Sequence, residues 1–231
     1  MTDPLLSIAG LRKEVKMIPV LIIGKSGAGK SASLRNLPQD GTIVINVLGK
    51  PLPFRNTLKT VQCDNYKLIE KSITKGGYER YIIDDMGYLM TDQFMKALGS
   101  KGKGGDMFAL YADIGLSMWD FVKAIQNAPT QARVYLIMHE DQDDFGNIKP
   151  RTLGKLVDQK VCLEGMVSIC IRATVNAANE HVFMTQTNGQ DVTKTPMGMF
   201  DKSEIDNDLY AIDKTICEYY SIGGTNNEAD K

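Results

Sequence analysis

The stretch LIIGKSGAGKSASL, Leu21 to Leu34, decides how this sequence is read. It begins inside an apolar run, Met17 to Ile23, with the length of a buried strand that stops at Gly24. From Lys30 to Leu37 the pattern reads as a helix, and Pro38 stops it. Between them, Gly24, Gly29, Lys30 and Ser31 occupy every fixed position of Gly-x-x-x-x-Gly-Lys-[Ser/Thr]. Glycines allow backbone N–H groups to curl around phosphate oxygens, and the helix that follows adds the positive end of its dipole. Lys30 is placed to reach β- and γ-phosphates and to act in catalysis, and the Ser31 hydroxyl to ligate Mg²⁺. Gly24, Lys25, Ser26, Gly27, Ala28, Gly29, Lys30, Ser31 and Ala32 are therefore the expected nucleotide cradle.

Such a loop needs a carboxylate from a neighbouring strand. YIIDD, Tyr81 to Asp85, is an apolar strand ending in two acids. Asp84 is the candidate to hold a Mg²⁺-bound water, and Asp85 the candidate to polarise the attacking water. A further strand, RVYLIMHE, ends in His139 and Glu140, at the kind of strand end where open α/β sheets bind ligands. His139 is a candidate sensor of the γ-phosphate and Glu140 a second candidate base. Lys25 can serve a γ-phosphate across a subunit interface or simply be solvated.

The remaining pattern alternates strands with helices, which indicates a mostly parallel sheet covered on both faces. Gly41 to Leu48 reads as a strand, and Lys67 to Lys75 as a helix closed by Gly76 and Gly77. Gln93 to Leu98 reads as a helix, broken by GSKGKGGD. A three-to-four spacing of apolar residues from Tyr111 to Ile125 makes an amphipathic helix, on which Trp119 is assigned to the core. MVSICIRATV and HVFMTQT form an expected antiparallel pair, and Leu209 to Tyr220 a C-terminal helix. Residues 5–16 are a short amphipathic lead-in. One domain over residues 1–222 and a disordered tail over 223–231 complete the expectation.

A net charge of −1 over 231 residues argues against a chain coated in positive potential. Cys63, Cys162, Cys170 and Cys217 show no Cys-x-x-Cys spacing and read as reduced thiols. The apolar runs are too short to span a bilayer, and no signal peptide is evident, so a cytoplasmic protein without a membrane partner is expected. Two polar segments carry cations: Lys101 and Lys103 among glycines, and Lys149, Arg151, Lys155 and Lys160 after the HE strand. Mobile lysines can track a phosphate backbone. Arg151 or Lys155 fits a finger on a neighbour's γ-phosphate equally well, and a solvated loop is the third option. Phe145, and less so Tyr88, are the candidates for stacking a base.

LIIGKSGAGKSASLRNL, INVLGKPLPF, YIIDDMGYLM, IMHEDQDDFG, TLGKLVDQKVCLEGM and TPMGMF followed by EIDNDL, taken in order, resemble phage-encoded RecA-like P-loop ATPases. These are grouped with the Sak-type single-strand annealing recombinases, and the similarity runs from Pro19 to Tyr220. The resemblance implies an α/β RecA-like P-loop NTPase with an antiparallel C-terminal strand pair. It further implies ATP and Mg²⁺ as cofactors and single-stranded DNA as partner, in phage recombination or replication within the host cytoplasm. A homo-oligomer, and a single-strand binding protein as companion, belong to the same expectation. ATP over GTP also rests on it, since no Asn-Lys-x-Asp segment is present. One departure stands out. RecA recombinases place a catalytic glutamate at the end of the strand beside the P-loop strand, and here the corresponding INVLGKPL has no acid. Two other classes stay open: a small-molecule kinase, although Arg151 is the sole arginine of the late basic segment, and a non-catalytic nucleotide switch or helicase-loading partner.

Overall fold

Period-two alternation in β1 (Ile18–Gly24) sends Leu21 and Ile23 to one face of a sheet and Val20 and Ile22 to the other. In the computed structural model, which describes residues 17–101 and 106–223, β1 is the centre of that sheet. It pairs in parallel with β5 (Arg133–Gln142) on one side and β7 (Ile169–Val175) on the other. Outward from β5 lie β4 (Arg80–Asp84), β2 (Thr42–Asn46) and β3 (Lys59–Gln62), all parallel. Outward from β7 lie β8 (His181–Met184) and β9 (Glu204–Asp206), both antiparallel. The order is β3-β2-β4-β5-β1-β7-β8-β9, with β6 (Ile148–Pro150) hairpinned onto the end of β5. This is the mostly parallel α/β sheet with a late antiparallel pair that the alternating pattern predicts.

Both faces are covered. On one, α1 (Tyr66–Lys75), α2 (Tyr88–Lys101) and α3 (Met107–Asn127) pack Ile69, Ile73, Leu89, Ile114, Met118 and Phe121 onto the sheet. On the other, the short 3₁₀ helix Ser31–Asn36 and α5 (Leu209–Tyr220) contribute Leu34, Leu209, Ile212 and Ile216. Each such fully buried side chain stabilises the fold by about 1.5–3 kcal/mol. Local signals set the helix limits. Asp106 accepts from the N–H groups of Phe108 and Ala109 to start α3, and Asp208 does the same for α5 with Tyr210 and Ala211. Gly76, with φ 75°, closes α1.

Several expectations change. The helix after the glycine loop is a single 3₁₀ stretch, not an α-helix from Lys30 to Leu37. The segment after His139 is no open loop: β5 continues to Gln142 and returns as β6, followed by the one-turn α4 (Lys155–Asp158). β3 and β9 also escape the sequence pattern, being three or four residues without an apolar run. The helix expected from Gln93 to Leu98 starts at Tyr88 and runs to Lys101. Trp119 is not core: it is 44% exposed, on the outer side of α3 with Phe108 and Leu116. A three-to-four spacing marks a stripe, and Trp119 falls beside the stripe that faces the sheet. The proposed lead-in, residues 5–16, and the tail from 224 lie outside the described residues.

At the N-terminal ends of β4 and β5, Asp213 of α5 accepts four hydrogen bonds from three side chains. Arg133 gives Nε and Nη2 at 2.8 and 3.0 Å, Arg80 gives Nη1 at 3.1 Å, and the Tyr135 hydroxyl stands at 2.5 Å. Arg80 also bonds Thr42 Oγ1 and the Asp40 carbonyl. All of Arg80, Arg133 and Asp213 are buried. Burial alone would raise the Asp213 carboxyl, but the bonds from Arg133 and Tyr135 and both guanidinium charges hold it below its ordinary value. Its contribution is therefore present at neutral pH and is lost as pH falls below the ordinary carboxylate range through the folded value. Asp213→Ala strands two buried guanidinium groups and is expected to cost about 3–5 kcal/mol in urea unfolding at pH 7. The gap between variant and wild type should shrink in acid.

Candidate functional site

Gly24 ends β1 where a side chain has no room, since a Cβ there would stand 2.6 Å from the Ala173 carbonyl oxygen of β7. The chain then turns through Gly27 and Gly29, with φ of 79° and 92° in the left-handed region that favours glycine. Lys25, Ser26 and Gly27 are exposed, whereas Ala28 is buried. Lys30 is buried and folds back across the loop, donating from Nζ to the carbonyls of Gly24 and Lys25 at 2.8 Å each. Burial pushes its ammonium pKa down, against the pull of Asp85, Asp84 and Glu140. Ser31 Oγ donates to Asp84 Oδ1 at 3.0 Å, so the two residues assigned to Mg²⁺ stand together.

The sheet order explains this meeting. β5 lies between β1 and β4, with Gly24 opposite His139 in register, so the loop, His139 and the two aspartates share one sheet end. Burial, and then the adjacent Asp85, push the Asp84 carboxyl up to about 6, against hydrogen bonding from Ser31 and the charges of Lys50 and Lys30. Asp85 is buried, with φ 61°, a left-handed conformation that strains a residue carrying a Cβ. Its Oδ2 meets Lys50 Nζ at 2.5 Å and its Oδ1 lies 3.6 Å from His139 Nε2. Burial and the nearby Lys30 lower the His139 pKa, which favours the neutral imidazole. The Tyr88 ring stands edge-on to His139, and Asp85, Tyr88, His139 and Arg151 help line a cleft of about 300 Å³.

Sequence reasoning missed Lys50. The Asn46 side chain accepts from the Gly49 N–H at 2.8 Å and donates to the Lys50 carbonyl at 2.5 Å, which fixes the turn that delivers the lysine. The signal was present as an asparagine at a strand end followed by Val-Leu-Gly-Lys. The strand carrying INVL also sits elsewhere than expected: β2 pairs with β3 and β4, not with β1. The strands beside β1 are β5 and β7, and the acid at the end of β5 is Glu140. Both Glu140 oxygens are held by Arg172 of β7, at 2.7 and 3.0 Å, so this ion pair bridges the end of β1. Glu140 is thus one half of a bidentate pair, while Asp85 faces the cleft.

The cationic residues separate. Lys149 pairs with Asp158, and Lys155 with Asp144 at 2.6 Å. Arg151 lines the cleft, and its N–H donates to the His139 carbonyl at 2.8 Å. Phe145, at the tip of the β5–β6 hairpin, is 91% exposed. Lys101 ends α2, and Lys103 lies outside the described residues.

These groups fit a magnesium-bound nucleoside triphosphate. A hydroxyl and one carboxylate suffice on the protein side for Mg²⁺, which keeps waters and takes phosphate oxygens as its other ligands. Among the described residues, no group of three or more His, Cys, Asp or Glu side chains forms an alternative metal centre. No described helix is long and apolar enough to cross a membrane. A family model described as an AAA domain, within the P-loop NTPase superfamily, matches residues 16–197. No curated protein matches the sequence.

The raised Asp84 pKa gives a signed expectation. Its contribution to stability is present while it is protonated and falls away as pH rises through about 6. Asp84→Asn should therefore raise the melting temperature of magnesium-free, nucleotide-free protein at pH 8, by roughly 3–8 °C for about 1–2 kcal/mol. The same variant should lose any gain in nucleotide affinity on adding Mg²⁺.

Proposed function

The chain belongs to the AAA domain family, and we propose that it binds Mg·ATP in the glycine loop, hydrolyses it slowly, and uses the cycle on single-stranded DNA. The observation that carries the ATPase reading is the convergence of Lys30, Ser31, Asp84, Asp85 and His139 on one sheet end. On binding, Lys30 exchanges the Gly24 and Lys25 carbonyls for phosphate oxygens, opening the loop it now ties shut. Ser31 and Asp84 are the residues that would hold Mg²⁺, which supplies charge neutralisation between the phosphates. Asp85, kept beside Lys50, orients the attacking water and accepts its proton. Lys30 and Lys50 then face the charge that develops on the transferred group. His139, neutral and 3.6 Å from Asp85, registers whether that group is present.

Support for the DNA reading is the hairpin that starts directly after His139. Its exposed Phe145 is a stacking platform, and Lys155 lies within reach through Asp144. Arg151, bonded to the His139 carbonyl, links hairpin to sensor. Lys149 and Lys155 would have to trade aspartates for phosphates, so this binding should be weak and salt-sensitive. The biological setting in this reading is phage recombination or replication, as annealing or strand exchange by a homo-oligomer in the host cytoplasm, alongside a single-strand binding protein. A non-catalytic switch or helicase-loading role is the second reading, favoured by the tie between Glu140 and Arg172.

The test is magnesium-dependent ATP hydrolysis with and without single-stranded DNA. Stimulation is expected, and Lys30→Ala should reduce turnover at least about 100-fold. Tight ATP binding without turnover would establish the switch, and turnover only with a small phosphate acceptor would establish a kinase. Phe145→Ala should weaken single-stranded DNA binding by roughly tenfold, measured by fluorescence anisotropy, without changing ATP affinity.

A further inference from the structure

The Asn207 amide is pressed against the glycine loop. The residue lies between β9 and α5 and is 3% exposed, yet among the described residues neither its Nδ2 nor its Oδ1 has a hydrogen-bond partner. A Cβ placed on Gly29 would stand 3.1 Å from each of these two atoms. The surrounding main chain is fixed. Its carbonyl accepts from Arg35 Nη1 at 2.6 Å, and the neighbouring Asp208 caps α5 and accepts from Asn36 Nδ2 at 2.9 Å. Arg35 and Asn36 belong to the 3₁₀ helix after the loop, so Asn207 moves with the nucleotide cradle. An unpaired buried amide is costly, and one held this firmly signals a partner that arrives with a ligand.

Position identifies the ligand group. On the reading above, the γ-phosphate end faces Asp84, Asp85 and His139, on the β5 and β4 side of β1. The nucleoside end then runs the opposite way across the loop, toward β7, β8, β9 and α5, where Asn207 waits. Phosphates offer only acceptors and would leave Oδ1 unpaired. An amide presents a donor beside an acceptor, the complement of the N7 and 6-amino edge of adenine; guanine shows two acceptors on that edge. We propose that Asn207 reads the adenine base of the bound nucleotide and sets the preference for ATP over GTP. The match to the AAA domain ends at residue 197, short of this residue. The proposal rests on the nucleotide-site reading, and the experiment separates the two.

Calorimetric titration of the full chain with magnesium complexes of ATP, GTP and purine riboside triphosphate, which lacks the 6-amino group, is the test. Wild type should bind ATP about tenfold more tightly than either analogue. Asn207→Ala should lose about tenfold toward ATP and change little toward the other two. Asn207→Leu, nearly isosteric, keeps the packing against Gly29 while removing both the donor and the acceptor, and should lose ATP affinity by a similar factor; it carries the test if the alanine variant fails to fold. Equal weakening toward all three nucleotides, or unchanged ATP affinity, would overturn the proposal and leave the nucleotide site standing. A wild-type chain that binds none of them overturns the site itself.

Discussion

One buried carboxylate holds the back of this molecule together. Asp213 draws Arg80, Arg133 and Tyr135 into a single network at the N-terminal ends of β4 and β5, opposite the glycine loop. It sits in the first turns of α5, whose N-terminal cap, Asp208, is tied to the 3₁₀ helix behind the loop. α5 therefore joins the two ends of the sheet. A charge pair in the interior is strongly directional, so it fixes the rotation and register of the helix that carries it, where apolar contacts alone would let it slide. Together with the bonds from Arg35 to the Asn207 carbonyl and from Asn36 to Asp208, that anchor seats α5 against the glycine loop's side of the sheet.

Two neighbouring carboxylates, Asp84 and Asp85, stand in different surroundings. Asp84 faces a serine hydroxyl inside the sheet and is costly to ionise without a cation. Asp85, one residue on, has its backbone in a strained left-handed turn that swings it to the cleft, where Lys50 and His139 meet it. The ionisation cost at Asp84 is one that a bound cation would offset.

The central part of this arrangement is legible in the sequence. Apolar runs of strand length ending in glycine or in paired acids locate β1 and β4, and the spacing of Gly24, Gly29, Lys30 and Ser31 locates the loop. What is not legible depends on pairing between distant segments. β3, β6 and β9 are strands only because a neighbour offers them a ladder. Lys50 reaches Asp85 because β2 happens to lie next to β4, and Glu140 is occupied because β7 brings Arg172 across the end of β1. Asn207 is one polar residue among many in EIDNDL until the fold buries it. Trp119 shows the converse error, since an aromatic near an apolar stripe need not belong to it.

Among the described residues, β3 forms one margin of the sheet. β3 is four residues long, exposes all of its side chains, and begins with Lys59, whose ammonium lies over the Tyr78 ring. A foreign strand pairing there would have to strip water from that lysine for the return of a few main-chain bonds. So short and charged an edge is a poor template for runaway sheet extension, and it protects the chain from aggregation while it is still assembling its slower, non-local parallel pairings. Any ordered assembly of copies is then steered away from edge-to-edge growth and toward surfaces that helices and hairpins present.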